Sequence, residues 1–262
     1  MFWKLLFLVL SLCVTLTAFS QSAVREFQVE EAKQAVAVDA TYFYVINNST
    51  IRKYTKADGA LVATWDGTKQ GIVHLNSGVV IKGKLYCANS NYPDQPMTSS
   101  VEVFDVRRMQ HTGTHSFGIA QQGSLTWLDQ KDGYWYVGFA EYSGKNASPG
   151  RDGRWTSLVK YDRNWRQLEA WVYPKNLLDR FAPMSNSGGT WGQDDLLYIT
   201  GHDHPEVYVL KLPTSGYTLE YLRTIPLPIA GQGIALDRAV KSKRILWGIN
   251  RAKRTVIRTE LE

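Results

Sequence analysis

Cysteine is nearly missing from this chain. Cys13 and Cys87 are the whole supply, and Cys13 falls inside an apolar leader, so Cys87 stands alone in the remainder. No intrachain disulfide framework can hold a loop-rich fold, and stability has to come from a buried core. Beyond the first twenty residues no stretch is apolar enough to cross a bilayer. Helical periodicity is scarce as well, which argues against a bundle. Nucleophile elbow, phosphate loop, dinucleotide fingerprint and helical zinc motif are all absent, and no serine has a context that marks it as a nucleophile. The formal net charge is +6, but no basic run accompanies it. That balance suits small anions or an anionic envelope surface rather than nucleic acid.

The leader itself has a recognisable layout. Lys4 sits in a short basic start, Leu5 to Ala18 are apolar, and Ala18 and Ser20 place small residues at −3 and −1 of a cut before Gln21. Residues 1–20 are therefore expected to be a cleaved secretory signal, residues 21–262 one domain, and the location periplasmic or secreted. Leu12, where a lipobox needs a small residue, speaks against lipidation at Cys13. Cys87, among Leu85, Tyr86 and Ala88, reads as a packed strand residue rather than a nucleophile.

What the sequence has in quantity is alternating strands, and they repeat. An aromatic-apolar strand occurs five times, at Phe43–Ile46, Leu85–Ala88, Trp135–Gly138, Leu197–Thr200 and Leu246–Ile249. Each is preceded by a strand of smaller residues: Ala35–Val38, Ser77–Val80, Gly123–Thr126, Gly188–Trp191 and Gly233–Leu236. Each is followed by a third alternating strand, and four of the five repeats add a fourth. Five four-stranded units predict an all-β, five-bladed β-propeller. Slim residues belong on inner strands crowding an axis, and Tyr, Trp and Phe belong where blades pack. The fifth repeat lacks an outer strand, while Arg25 to Glu31 has no blade of its own. The N-terminal strand is therefore expected to close the last blade and cover its edge.

In such a ring, the loop before each inner strand and the loop after each second strand emerge on one face. The candidates there are His74 and Asn76, Asn91, Glu141 and Tyr142, Asn186, His202-Asp203-His204, and Asn250-Arg251. His202, His204 and Glu141 are the candidate acid–base groups, because imidazoles beside a carboxylate can move protons. Glu141, Asp203, Asn91 and Asn250 are the candidate metal ligands, since carboxylate and amide oxygens at one rim suit calcium, and the histidines would suit zinc. His74, Asn76, Asn91, Tyr142, Asn186 and Arg251 are candidate ligand contacts. Each also has a plain reading as a turn residue; for His202-Asp203-His204 that is a polar loop with one caged histidine. Two loops on this face are long, Tyr92 to Ser100 and Ser143 to Thr156, and either is a lid or a tolerated insertion. The turns of the opposite face read as ordinary hairpins.

Through these repeats the chain resembles extracytoplasmic propellers of the gluconolactonase- and NHL-type group, and more loosely those called cycloisomerase-like. The resemblance implies a divalent cation at the mouth, held in the lactonase type by one Glu, two Asn and one Asp. Glu141, Asn91, Asn250 and Asp203 offer the same chemistry, although that family has six blades and places its Glu early in the chain. Three functions follow as expectations. One is a metal-assisted lactonase, isomerase or lyase acting on a sugar, sugar acid or lactone. The second is a non-catalytic carbohydrate- or protein-binding propeller. The third is a scaffold that engages an envelope protein. The expected partner is a small polar or anionic molecule.

Overall fold

A computed structural model describes residues 24–261, and the expected signal segment lies outside the described residues. Twenty strands make five sheets of four. β1 (Arg25–Gln28) stands apart at the start. Blade 1 is β2 (Ala35–Val38), β3 (Tyr42–Asn47), β4 (Thr50–Thr55) and β5 (Leu61–Asp66). Blade 2 is β6 (Leu75–Ile81), β7 (Lys84–Ser90), β8 (Thr98–Asp105) and β9 (Gln110–Ile119). Blade 3 is β10 (Ser124–Lys131), β11 (Tyr134–Ala140), β12 (Ser157–Tyr161) and β13 (Gln167–Val172). After a short helix α1 (Lys175–Phe181), blade 4 is β14 (Gly188–Trp191), β15 (Leu197–Thr200), β16 (Glu206–Lys211) and β17 (Glu220–Pro226). Blade 5 is β18 (Ala235–Leu236), β19 (Arg244–Asn250) and β20 (Thr255–Leu261), with β1 outside β20. The chain is a five-bladed β-propeller. Among the described residues no helix is long and apolar enough to cross a membrane.

The expected closure is present. β1 runs antiparallel to β20, pairing Arg25 with Arg258 and Gln28 with Thr255. Val29 continues the join by donating its N–H to the Arg254 carbonyl at 2.8 Å. Phe27 is driven into the seam between blades 5 and 1, where its ring lies 4.9 Å from Phe43 and 5.7 Å from Trp247. Burying an aromatic ring there removes more apolar area from water than any other residue of the strand could. Only four residues form regular strand, against the seven of the expected segment, because Glu30 to Lys33 turn the chain toward β2.

The inner strands lie side by side around the axis, each next to its neighbour in the ring β2, β6, β10, β14, β18 and back to β2. Their slimness has a direct steric cause. A side chain on Gly233 would put Cβ 2.4 Å from Ala35 Cβ, and one on Gly189 would lie 2.5 Å from the Trp127 ring. Aromatic residues fill the seams: Phe43 and Trp247, from second strands, between blades 1 and 5, and Tyr136 of a second strand with Trp191 of an inner strand between blades 3 and 4. Cys87 is fully buried in the seam between blades 1 and 2.

Two features depart from the expectation. α1 was not anticipated; it buries Leu177 and Phe181 under blade 4. The opposite-face hairpins are not ordinary, for carboxylates there brace the blades. Asp39 accepts from the Tyr44 hydroxyl at 2.5 Å, Asp194 from Tyr198 at 2.7 Å, and Asp237 from the Trp247 indole at 3.3 Å. In each of these blades the hairpin carboxylate satisfies the polar tip of an otherwise buried second-strand aromatic.

Candidate functional site

The strand directions place the sequence-selected residues on the face of the loops that enter the inner strands, but side chains gather there in two groups. The first belongs to blades 2 and 3. Glu141 follows β11 and is 1 % exposed. Ser148 donates its hydroxyl to both carboxylate oxygens at 3.0 and 2.9 Å, and Arg151 Nη1 lies 3.2 Å from Oε1. Arg151 also donates to the Gln121 carbonyl and rests over the Trp155 ring. Thr156 receives the Glu141 N–H and reaches Ser185 at 2.7 Å. The carboxylate thus anchors the long loop that follows it.

That loop meets the other long loop. Asn146 Nδ2 donates to the Tyr92 hydroxyl at 2.7 Å, and Ser148 Oγ lies 3.2 Å from the Gln95 side-chain amide. Below them Tyr142 packs with Tyr92 at 4.5 Å, and Tyr92 with His74 at 5.7 Å. Burial pushes the Tyr142 hydroxyl pKa up and the His74 imidazole pKa down, so both are neutral. Three amides of this region are structural. Asn76 donates to the Leu125 carbonyl at 2.9 Å and Ser90 at 3.1 Å. Asn91 closes its own loop, accepting from Thr98 N at 2.7 Å and donating to the Pro96 carbonyl at 3.0 Å. Asn186 accepts from Tyr173 at 2.9 Å and from the Trp127 indole, and donates to Thr200 and Gly188 carbonyls.

The second group belongs to blades 4 and 5. His202 Nδ1 lies 2.5 Å from Asp203 Oδ1, and Arg251 Nη1 lies 3.3 Å from His202 Nε2. Arg251 Nη2 is 3.6 Å from the same Asp203 oxygen. An arginine can only donate, so Nε2 is the acceptor and the ring proton sits on Nδ1. Burial lowers the His202 pKa below the ordinary imidazole value, with Asp203 acting against it. The His204 side chain makes no hydrogen bond among the described residues. Asn250 closes the turn it begins, accepting from Lys253 N at 3.1 Å.

The oriented Arg251 forms part of a basin of about 520 Å³ lined by Lys33, Gln34, Asn47, Asn48, Ala230, Arg251, Ala252 and Arg254. Among the described residues three cations and three amides face it, and no carboxylate does. Lys33 and Arg254 were not among the sequence candidates. Their signal was topological, since Lys33 precedes the first inner strand and Arg254 shares the Arg251 loop.

Glu141 and Asp203 share no hydrogen bond or ion pair, and each is held by its own arginine. Asn91 and Asn250 give their oxygens to backbone N–H groups. Among the described residues no three His, Cys, Asp or Glu side chains gather where they could hold a metal. Two of the four candidate oxygens, those of Asn91 and Asn250, are thus taken by the protein's own backbone.

No family model matches this chain, and no curated protein is similar to it. Solved structures of similar shape include a chain of "Crystal Structure of Mitotic Checkpoint Complex", with 8 % identity and TM-score 0.47, covering 100 % of this chain and 98 % of that one. "Structure of U3-55K" gives 11 % identity and TM-score 0.49, covering 92 % and 100 %. "Crystal structure of RRP9 WD40 repeats" gives 11 % and 0.49, covering 92 % and 99 %. At that level of similarity none assigns a function here.

Proposed function

We propose that this protein is a non-catalytic binding propeller that takes a small polar anion, of the sugar-acid class, in the basin beside Arg251. The observation that carries the reading is the make-up of that basin: Lys33, Arg251 and Arg254 with three amides and no acid. Cations select a carboxylate, and amides suit the hydroxyls that accompany it on a sugar acid. His202 and Asp203 support the reading from behind by holding Arg251 in place. The catalytic alternative has no comparable support, because the oxygens it would give to a cation are committed elsewhere. Calorimetric titration with gluconate and galacturonate, and with glucose as the neutral control, tests the proposal. Both acids are expected to bind and glucose not to. Arg251→Ala and Arg254→Ala should each weaken binding at least tenfold without lowering the melting temperature by more than a few degrees. Equal affinity for acid and neutral sugar, or variants that bind as the parent does, would overturn it.

A further inference from the structure

Each blade ends in a strand with one free edge, and the five outer strands treat that edge differently. β1 carries Arg25 and Glu26, and β5 carries Asp66. β13 carries Glu169, and β17 carries Glu220, Arg223 and Pro226. Part of the β13 edge is also covered, because Val172 donates to the Tyr217 carbonyl at 2.8 Å and accepts from Leu219 N at 3.0 Å. Charge, proline and cover are the means by which an edge is kept from pairing with another chain. β9 has none of them. It is the longest strand among the described residues, ten residues without Asp, Glu, Lys, Arg or Pro. No strand pairs with its outer side among the described residues. Bulges at Thr112 and Phe117 bracket a regular run from Gly113 to Ser116.

That run is held rigid from within the protein. Thr114 donates its hydroxyl to the buried Glu102 at 2.6 Å, and His111 lies 2.7 Å from the same oxygen. On the other side His115 stacks on Trp165 at 4.6 Å, and Trp165 on Trp135 at 5.0 Å. Beside it, between blades 2 and 3, an open groove of about 570 Å³ is lined by Thr112 to His115 together with Lys84, Arg108 and Arg163. Lys84 and Arg163 are exposed, and their side chains have no hydrogen bond or ion pair among the described residues. The groove's one carboxylate, Asp105, is already used. Its Oδ1 accepts the N–H of Arg107 and Arg108 at 3.0 and 2.8 Å, and its Oδ2 lies 3.5 Å from Arg108 Nη2.

We infer that the β9 edge is a docking surface for an extended acidic segment of another protein, which adds to blade 2 as a fifth strand. Gly113 to Ser116 supply the backbone donors and acceptors. The added strand lies about 4.8 Å outside β9, and its alternate side chains hang over the groove. Carboxylates at those positions meet Lys84, Arg108 and Arg163 with one committed acid to oppose them. Main-chain pairing supplies affinity with little demand on sequence, and the cations select the sign of the charge. The groove opens between hairpins of the face opposite the Arg251 basin, so this inference does not rest on sugar-acid binding there.

The probe is the capped peptide Thr-Glu-Val-Glu-Val-Glu-Thr, titrated into the whole chain by fluorescence anisotropy. A version with Lys for Glu should bind at least tenfold more weakly, and so should the acidic peptide N-methylated at alternate residues, which keeps the charge and removes the donors. Oligogalacturonate, a polyanion without a peptide backbone, should not displace the acidic peptide. Hydrogen exchange of the parent should slow within residues 110–119 when the peptide is bound. Lys84→Glu/Arg163→Glu changes two exposed, unpaired side chains; it should keep the parent's melting temperature within a few degrees and lose at least tenfold in affinity. Arg251→Ala should bind the peptide as the parent does, whatever it does to sugar acids. No binding by the parent, equal binding of the Lys or N-methylated peptide, displacement by oligogalacturonate, unchanged exchange in 110–119, or a folded double variant with unchanged affinity would each overturn the assignment. The peptide controls and the exchange measurement use the parent chain, so they decide the matter even if the double variant does not fold.

Discussion

Phe27→Ala tests how the ring is held shut. The side chain is 7 % exposed and touches two aromatic rings, Phe43 of blade 1 and Trp247 of blade 5. Phe-to-Ala changes in cores cost about 3–5 kcal/mol, through lost transfer free energy and the cavity left behind. An outer strand can relax partly into the gap, which places this site near the lower end, at about 3 kcal/mol. That is a large part of a domain's usual stability of roughly 5–15 kcal/mol. At about 2–4 °C per kcal/mol for a chain of this size, the melting temperature should fall by roughly 6–12 °C. Leu61→Ala is the control. Leu61 lies on the outer strand of blade 1 and is 52 % exposed, so its loss should stay within about 0.5 kcal/mol. Urea unfolding of both variants gives the two values on one scale. If they differ by less than about 1 kcal/mol, β1 merely lies on the ring and does not close it.

Cys87, fully buried, has its thiol pKa raised by burial; it should react with a thiol reagent only as fast as the protein unfolds, and rapid native labelling would contradict the strand placement. Burial lowers the His74 pKa, so near pH 6 the unfolded chain binds more protons than the native one. Stability should therefore fall as the pH drops below about 6.5 and level off below the native pKa. His74→Gln should flatten that slope in part, since His115 and His202 shift in the same direction; urea midpoints between pH 5 and 7.5 that match the parent's slope would show that His74 contributes nothing. Glu141→Gln removes the charge that Arg151 faces and should weaken the anchor of the 143–156 loop by about 1.5–3 kcal/mol. Trypsin should then cut at Lys145 or Arg151 several times faster, and an unchanged cleavage rate would mean the loop is held by other contacts.

The architecture was legible because its causes are local and repeated. Small residues must crowd an axis and aromatic ones must fill seams, so each blade rewrites the same pattern. The vacancy beside Val256 to Leu261 and the stray Phe27 could be matched from the sequence alone for the same reason. The site was less legible because polar residues after a strand serve two purposes that look identical in a sequence. Asn91, Asn186 and Asn250 stand at the right end of the right strands, yet each satisfies backbone groups, Asn91 and Asn250 in their own turns and Asn186 at Gly188 and on the adjoining strand at Thr200. Glu141 was singled out by position, but what it holds is Ser148 and Arg151. The carboxylates of the inner strands and their hairpins carried a signal that passed unread: Val38-Asp39, Leu128-Asp129 and Leu236-Asp237 repeat an aliphatic–aspartate step in or just after three inner strands. α1 was missed because seven residues give too short a window for helical periodicity to emerge from the noise.

The pairing of β1 with β20 also sets a clock. Arg25 and Arg258 are neighbours in space but belong to opposite ends of the synthesis of this domain. While the ribosome produces blades 1 to 4, β1 has nothing to pair with, and Phe27 has only half of its pocket, the Trp247 side being unmade. Each finished blade meanwhile shows the next one an uncovered aromatic flank. A nascent chain in that condition is at its most adhesive just before its last strand arrives, and non-local closure of this kind is slow once it begins. Any cell making this protein has to shelter a nearly complete circle until the final hairpin is released.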